Sequence, residues 1–449
     1  MVNLPAQGEL KRQLGLTAAA AVVVGEVIGV GIFLYPAGMA KSLGSPMWLL
    51  IVWLMMGAMA LCGALCYGEL ASRFPQAGGG YVYLREAYGS QMAFLYGWMA
   101  LLVLDPGLTA LFAVGAADNA GRIIHLSPLG VKAIGIGAIL LLAAVNILGV
   151  KLGSRVMQAL TVLKLGLLAF IIIWGFGFAG GSWANFMPFA ERHSTDTLTG
   201  ALAGAVVVGF FSFAGWWDVT KIAGEVREPA RTLPRALSFG ILIITVVYIM
   251  TSAVFLYLVP TSRVPAGDEA AVTFAAQVGN ALFASAGGQV FAGIVVICVL
   301  GSLTAFMMAA PRVYYAMARD DLFIKSIAAV HTRFGTPARA IILQALLASL
   351  LLAIGTFEQI LAYFFFVTVL FIALTVAAIF RLHRRQADAS TYRTPGYPLT
   401  PLFFLVLVAV LLFLLAARNP MQAFLGVGVV ALGSPVYYLL FRRKAVSRH

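Results

Sequence analysis

The chain has 449 residues, of which 61% are hydrophobic and only 10% are charged, and its formal net charge is +13. This polar content is too small to cover a soluble protein of that size, whereas membrane spans need no such surface. The positive charges lie in segments between the apolar runs, so they do not indicate a nucleic-acid-binding protein. The composition therefore predicts an all-α integral membrane protein in a lipid bilayer.

The residues that carry enzyme or metal chemistry do not cluster in this sequence. Cys62, Cys66 and Cys298 all fall inside apolar runs, without disulfide or metal spacing, and the five histidines lie in predicted loops or the tail. There is no H-E-x-x-H pattern and no pair of mid-span acids. We expect no enzyme activity, no metal site and no cofactor. The polar start "MVNLPAQGELKRQLG" and the long run after it do not resemble a cleavable signal.

Hydropathy windows predict twelve transmembrane helices. Their approximate ranges are 14–40, 46–72, 90–116, 128–148, 155–178, 199–222, 234–259, 271–310, 338–355, 358–380, 401–417 and 421–441. The predicted transporter domain, 14–441, lies between a cytoplasmic N-terminus (1–13) and a cytoplasmic tail (442–449). The eighth range is too long for one span, and we expect its last part, "APRVYYAMARDDLF", to leave the membrane as a cytoplasmic helix.

Charge asymmetry sets the predicted orientation. An even number of spans places both termini on one side, and the positive-inside rule selects that side. With both termini in the cytoplasm, 23 of the 30 Lys and Arg residues fall in cytoplasmic segments and Lys164 lies within a span. The six on the outer side are Lys41, Arg122, Lys132, Arg192, Arg263 and Arg418.

Two predicted spans are interrupted by small residues. The first contains "VVVGEVIGVGIF", with glycines at Gly25, Gly29 and Gly31. The sixth contains "GFFSFAGWWDVTK", with small residues at Gly209, Ser212, Ala214 and Gly215. Matching breaks five spans apart predict a 5+5 inverted repeat, 14–178 and 199–380, followed by two extra helices in 401–441. The alternative is that these glycines only allow close helix packing.

Interrupted helices leave backbone groups that must find partners inside the membrane. The half-helix that begins near Val30 and Gly31 offers free N–H groups and a positive dipole end, which suit a carboxylate. Carbonyl groups near Val27, Phe211 and Ala214 suit an ammonium group. The pair of breaks therefore predicts a site for a zwitterion of amino-acid size.

Five motifs carry a family resemblance over most of the chain. "GEVIGVGIF" and "FFSFAGWWDVTKIAGEVREPARTLPRAL" resemble the two signature segments of the amino acid–polyamine–organocation superfamily. "GELASRFPQAGGGYVYLREAYG", "APRVYYAMARDDLF" and "YRTPGYPLTP" are similar to its loops after helix 2, after helix 8 and before helix 11. The nearest resemblance is to the L-type amino acid transporter branch, including bacterial serine/threonine and alanine exchangers.

The resemblance implies a substrate site around the two breaks. The substrate carboxylate would meet the backbone at Gly29, Val30 and Gly31. Its amino group would meet the carbonyls of Val27, Phe211 and Ala214. Phe211 would close over the substrate as a thin gate; the alternative is that Phe211 only packs in the core or faces lipid. Tyr248 matches a cavity tyrosine or is an ordinary buried one. The expected site comprises Val27, Gly29, Val30, Gly31, Phe211, Ser212, Ala214, Gly215 and Tyr248.

Lys164 lies deep in a predicted span. It follows Arg155 by nine residues, which places it about 14 Å into a core about 30 Å thick. A lysine at that depth is costly and indicates a function. In the sodium-independent L-type branch, a helix 5 lysine resembles in role the sodium ion of sodium-coupled relatives. We therefore expect its ammonium group near Gly25, Ser302 and Thr304, and transport without sodium.

Glu26 departs from the family pattern, and three interpretations stay open. It pairs with Lys164, or it is protonated and couples transport to protons, or it faces a cationic part of the substrate. Asp105 is expected near the outer surface, about 22 Å along its span. Asp218 is expected to be exposed on the cytoplasmic side, near Lys221.

Cytoplasmic acids lie among many arginines and form either a solvated rim or an inner gate of ion pairs. These acids are Glu69, Glu225 and Glu228, and the arginines are Arg73, Arg85, Arg227, Arg231 and Arg235.

The resemblance implies a sodium-independent L-amino acid transporter that works by alternating access, as an exchanger or uniporter of small to medium neutral amino acids. A proton-coupled symporter, a cationic amino acid transporter and a sensor of the same fold are the alternatives. Eukaryotic relatives are commonly disulfide-linked to a single-span partner through the loop between helices 3 and 4. That loop here, "ADNAGRIIHLSP", has no cysteine, so we expect a stand-alone protein of a bacterial inner membrane. The oligomeric state is left open.

Overall fold

The computed structural model describes residues 10–260, 263, 270–355, 357–383 and 391–441, and within them every regular element is a helix. This agrees with the predicted all-α architecture. The α-helices are α1 Leu16–Val27, α2 Gly31–Leu43, α3 Pro46–Arg73, α4 Gly80–Tyr88, α5 Ser90–Met99, α6 Asp105–Ile124, α7 Pro128–Ile147, α8 Val150–Gly177, α9 Leu198–Ser212, α10 Pro229–Leu258, α11 Ala270–Phe283, α12 Gly287–Ala309, α13 Pro311–Arg319, α14 Ala338–Ile354, α15 Phe357–Leu382, α16 Leu399–Arg418, α17 Pro420–Ala431 and α18 Gly433–Leu440.

The number of membrane spans is close to the predicted twelve but is not fixed by the structure. Within the described ranges, ten helical segments are long and apolar enough to cross a bilayer, and the bent pair α1–α2 makes eleven. Helix α14 is apolar but has only 17 residues. The count of twelve, the repeat boundaries and the domain boundaries remain predictions. Of the predicted cytoplasmic ends, 1–13 and 442–449, residues 1–9 and the whole tail lie outside the described residues.

The first predicted interruption is a true break in the helix. Helix α1 ends at Val27, α2 begins at Gly31, and their axes differ in direction by 46°. Between them, the Gly29 N–H turns back to donate to the Val27 carbonyl at 2.8 Å. A Cβ added at Gly29 would lie 3.2 Å from the hydroxyl of Ser302, so glycine permits the close approach of α12 at this point.

The second predicted interruption is also present, with a different geometry. Helix α9 ends at Ser212, a turn follows, and the chain continues as a 3-10 helix over Trp216–Glu225. Gly215 has φ = 110°, in the region that favours glycine, because a Cβ is disfavoured there. Both breaks thus sit where small residues interrupt an apolar run.

Helix α1 lies at the centre of the bundle, and glycines let its neighbours approach. A Cβ added at Gly240 of α10 would lie 2.5 Å from Val23, and one added at Gly25 would lie 2.7 Å from the Thr161 hydroxyl of α8. Outer helix faces instead expose large apolar side chains such as Val162 and Phe413, at 71% and 72%. This pattern of polar-free outer faces around a tightly packed central helix fits a protein surrounded by lipid.

The eighth predicted range, 271–310, is divided into two helices. Helix α11 ends at Phe283 and α12 begins at Gly287, and the helices pack closely where they meet, because a Cβ added at Gly279 would lie 2.5 Å from the Gly287 carbonyl oxygen. Part of the excess length therefore lies before α12, and not only after it as predicted. Helix α13 is a separate helix, as expected, but its residues 311–318 are buried.

Candidate functional site

The two breaks face a common cavity of about 150 Å³. This is about ten times the space that one enclosed water needs, so a small solute fits. Eight of the nine predicted substrate-site residues line it: Val27, Gly29, Val30, Gly31, Phe211, Ser212, Ala214 and Gly215. Much of the remaining wall is aromatic, and includes Tyr35, Phe112, Phe306 and Phe365.

The second half of the first break presents unused backbone donors. Among the described hydrogen bonds, the N–H groups of Val30, Gly31 and Ile32 have no protein acceptor at this helix start. The Gly29 N–H, which the sequence also assigned to a carboxylate, is instead bonded within the turn. The three remaining donors and the positive end of α2 can hold an anionic oxygen.

Lys164 reaches the other side of the same break. Its ammonium group donates to the carbonyl oxygens of Gly25 at 2.8 Å, Ile28 at 2.7 Å and Cys298 at 2.7 Å. Lysine has three N–H donors, so three carbonyls match its capacity. The side chain is fully buried. Lys164 therefore joins the end of α1 to the middle of α12 and satisfies carbonyls that the break would leave bare.

Two α12 residues were expected at this contact, and the structure places one of them there. The Ser302 hydroxyl lies 3.3 Å from the Lys164 ammonium and 2.9 Å from the Gly25 carbonyl. The Thr304 hydroxyl instead donates to the Leu300 carbonyl of its own helix at 2.7 Å, so the structure does not bring it to Lys164. Gly301, which the sequence analysis missed, provides space: a Cβ there would lie 2.7 Å from the Lys164 side chain.

Tyr248 connects the two breaks from behind the cavity. Its hydroxyl oxygen lies 2.9 Å from the Val27 carbonyl and 2.8 Å from the Ser212 carbonyl. The ring is fully buried and packs edge-on against Trp53 and Phe213. Tyr248 is therefore not a wall residue of the cavity; it is positioned to hold the end of α1 against the end of α9.

Aromatic residues of the second break divide between the cavity wall and the core. Phe211 lines the cavity and is partly exposed, with its ring centroid 4.4 Å from that of Phe365. Phe213 and Trp216 are each only 2% exposed and pack in the core. Phe211 thus has the access that a gate needs, whereas the other two do not.

Glu26 does not pair with Lys164. The Lys164 ammonium group donates to the Gly25 carbonyl. The Glu26 carboxyl instead lies against the second break, where a Cβ added at Gly215 would be 3.0 Å from Glu26 Oε1. Glu26 is 5% exposed and lines the cavity. Its Oε2 is buried and has no hydrogen-bond partner in the described part of the chain.

Asp105, Asp218 and Lys221 form a buried cluster near the cavity. Lys221 lies 2.9 Å from Asp218 Oδ2 and 3.6 Å from Asp105 Oδ1, and the Tyr314 hydroxyl donates to Asp105 at 2.8 Å. Asp105 was expected near the outer surface, but its exposed fraction is 0%. Asp218 was expected in cytoplasmic water, but its exposed fraction is 2%. Asp105 follows a π turn, which shifts the helix register before Pro106.

The acids that the sequence assigns to the cytoplasmic side include two that form specific buried pairs. Glu225 binds Arg312 through two contacts of 2.7 and 3.2 Å, and both side chains are almost fully buried. Arg312 was not among the expected partners. It lies on α13, far from Glu225 in the sequence. Glu69 pairs with Arg73 at 3.0 Å and with His383 at 2.8 Å. These two acids therefore do not belong to a solvated rim.

Next to the first pair, the start of the described chain is anchored to the second break. The N–H groups of Gln13 and Leu14 donate to the Glu225 carbonyl at 2.7 and 2.9 Å, and the Arg227 N–H donates to Leu14 at 2.8 Å. The ion pair and the N-terminal segment therefore both contact Glu225, one through its side chain and the other through its backbone carbonyl.

Substitution of Lys164 should destabilise the first break. In Lys164→Met the carbonyls of Gly25, Ile28 and Cys298 lose their shared donor, and each unsatisfied buried acceptor costs about 1–3 kcal/mol. We expect a lower melting temperature than wild type for the detergent-purified protein, measured by thermal unfolding. Lys151→Met is the control, because Lys151 is exposed on the same helix. Equal melting temperatures for the two variants would contradict this role.

The chain was compared with known proteins. Residues 14–441 match the amino acid permease family. The chain is 31% identical to the serine/threonine exchanger SteT of Bacillus subtilis (strain 168), over 97% of this chain and 98% of that protein. It is 29% identical to the b(0,+)-type amino acid transporter 1 of Mus musculus, over 96% and 88%. It is 28% identical to the large neutral amino acids transporter small subunit 2 of Mus musculus, over 96% and 81%.

The predicted resemblance is therefore confirmed, and the match spans both helix breaks and the cavity between them. With its helical membrane bundle and nearly complete coverage by the family, the chain belongs to the amino acid permease family and is a membrane transporter of amino acids, not an enzyme.

Proposed function

We propose that this permease transports L-amino acids without sodium, by alternating access, as an exchanger or uniporter. The observation that carries the proposal is the Lys164 ammonium group, which binds Gly25, Ile28 and Cys298 carbonyls between α1 and α12. By the family resemblance, sodium bridges the corresponding helices in sodium-coupled relatives. A fixed positive charge with three carbonyl ligands leaves no role for a metal cation at that place.

In this proposal the two breaks recognise the invariant part of the substrate. The N–H groups of Val30 and Gly31 and the start of α2 bind the carboxylate. Phe211, which is partly exposed in the cavity, closes over the bound solute. The inverted repeats then rock against each other around the breaks, with Tyr248 as the link between α1 and α9.

The side chain of the substrate meets a mainly apolar wall. Residues such as Leu104, Leu108 and Phe112 favour neutral L-amino acids of small to medium size. The cationic amino acid alternative is favoured by one observation, the unpartnered Glu26 carboxyl in the same cavity. Proton coupling through this residue is the other alternative. A sensor would bind an amino acid without net flux into liposomes, which a transporter would produce.

The proposed setting is a bacterial inner membrane with both termini in the cytoplasm. The support is the excess of Lys and Arg in the loops assigned to that side. In this orientation the Glu225–Arg312 pair lies on the cytoplasmic side of the cavity, as an inner gate. The protein acts without a disulfide-linked subunit.

Replacement of sodium should leave uptake unchanged. The purified protein is reconstituted into liposomes that are loaded with unlabelled L-serine. Uptake of labelled L-serine is then measured with sodium chloride or choline chloride on both sides of the membrane. We expect equal initial rates, because Lys164 supplies the charge that sodium would bring. A competition screen with the common amino acids then ranks the substrates. Uptake that vanishes in choline chloride would overturn the proposal.

The Glu225–Arg312 pair should behave as a unit during transport. Glu225→Arg and Arg312→Glu each place like charges in a buried site, and a broken buried pair costs about 3–5 kcal/mol. We expect each single variant to lose exchange and the double variant to recover a large part of it. Variants are compared after size-exclusion chromatography, so that only folded protein enters the liposomes.

The matched control is Lys325→Glu, because the Lys325–Asp321 pair is exposed on its lysine side and exposed pairs contribute little. This variant should transport like wild type. If the double variant stays as inactive as the singles while it is folded, the two side chains do not act as a gate.

A further inference from the structure

One carboxyl group in the cavity wall, that of Glu26, forms no ion pair within the described part of the chain, although Lys221 lines the same cavity. Glu26 is 5% exposed, its Oε2 is buried without a hydrogen-bond partner, and it lines the cavity at the first break. Its side chain touches the second break at Gly215. An isolated buried carboxylate is strongly disfavoured unless a positive or donating group joins it.

Lys221 does not neutralise Glu26, because its contacts are with two other acids. It lies 2.9 Å from Asp218 Oδ2 and 3.6 Å from Asp105 Oδ1. Asp218 Oδ1 is itself buried and unpartnered within the described residues, and Asp218 lines the same cavity as Glu26. Lys221 thus forms ion pairs with Asp105 and Asp218 but not with Glu26, and the unpartnered oxygens of Glu26 and Asp218 belong to residues of the cavity wall.

Two of the three backbone carbonyls expected to bind the substrate amino group already accept hydrogen bonds within the protein. The Val27 oxygen accepts from the Gly29 N–H at 2.8 Å and lies 2.9 Å from the Tyr248 hydroxyl. The Phe211 oxygen accepts from the Ala214 N–H at 3.2 Å. The third, the Ala214 carbonyl, is one acceptor, whereas a primary ammonium group has three N–H donors. An ammonium group at the breaks therefore needs further acceptors, and an ionised carboxylate makes the stronger bond.

The rest of the wall favours an organic ammonium group over a metal ion. Tyr35, Phe112 and Phe306 present aromatic rings, which attract organic cations through their faces but offer few oxygen ligands. Hard metal cations such as calcium require six or more oxygens. No group of three His, Cys, Asp or Glu residues in the described chain could hold a metal ion.

We propose that Glu26, with the free oxygen of Asp218, forms an ammonium-binding subsite between the two helix breaks. The subsite deepens the proposed function, on which it rests. The ligand is a primary ammonium group of the transported solute, either the α-ammonium of any amino acid or the terminal ammonium of a diamino acid. Recognition at this site uses a full negative charge in addition to backbone dipoles.

The test compares wild type, Glu26→Gln and Glu26→Asp in liposomes with labelled L-serine and labelled L-ornithine. We expect Glu26→Gln to raise KM about 10- to 100-fold, the loss typical of a hydrogen bond to a charged group, with the maximal rate within about twofold. Glu26→Asp should recover part of the affinity. If the α-ammonium binds there, both substrates lose affinity; if the terminal ammonium binds there, only L-ornithine does.

A surface variant and two competitors sharpen the comparison. Glu191→Gln, at an exposed glutamate, removes the same charge far from the cavity wall and should transport like wild type. If the α-ammonium binds at the subsite, inhibition by L-alanine methyl ester, which keeps that group, should weaken in Glu26→Gln. Any inhibition by N-acetyl-L-alanine, which lacks that group, should not change.

An unchanged KM for both substrates in folded Glu26→Gln would overturn the subsite. If the pH profile of uptake also flattens in that variant, Glu26 is a proton carrier instead. Absence of any flux in wild type would instead refute transport itself. In that case thermal shifts of purified wild type and Glu26→Gln with L-serine and L-ornithine still decide whether the subsite exists.

Discussion

The structure depends on how carbonyl oxygens at an interrupted helix are satisfied where no water is available. The first break frees backbone acceptors in the interior of the bundle, each of which would cost several kcal/mol if left alone. The buried ammonium group of Lys164 donates hydrogen bonds to the carbonyls of Gly25 and Ile28 and joins both to the carbonyl of Cys298. Only because these oxygens are satisfied on one side can the break remain open toward the cavity on the other.

This division of α1 into two faces organises the rest of the site. The face toward α8 and α12 is occupied by Lys164, Ser302 and the space provided by Gly301. The opposite face carries Glu26 and lies against Gly215. The acid cluster around Lys221 extends this second face to α13 through Tyr314. The acid cluster beside the cavity and the buried Glu225–Arg312 pair are thus both joined to α13, the first through Tyr314 and the second through Arg312.

The sequence predicted the breaks and the buried lysine because both violate what an ordinary span contains. Glycine clusters weaken a helix, and a lysine at mid-depth needs partners, so each signal is local. The site partners could not be predicted in the same way. Residues 25 and 26 are neighbours in the sequence, but consecutive helix positions point about 100° apart. Lys164 therefore meets Gly25 and not Glu26.

The same reason explains the other differences. Thr304 follows Ser302 by two positions, which turns its side chain away from Lys164. The depth of Asp105 along its span gave no information about Lys221, because that contact joins segments more than 100 residues apart in the chain. Depth follows from the helical rise, whereas neighbours follow from packing between helices.

The contact of Tyr248 with both breaks has a consequence in hydrogen counting. A phenol carries one hydrogen, yet its oxygen lies 2.9 Å from the Val27 carbonyl and 2.8 Å from the Ser212 carbonyl. At any instant the hydrogen points to one of them, while the Gly29 N–H still serves Val27. If α1 and α9 separate, the Tyr248 hydroxyl keeps at most one of these two acceptors. The orientation of this single O–H bond can therefore alternate only while the two half-helices are together.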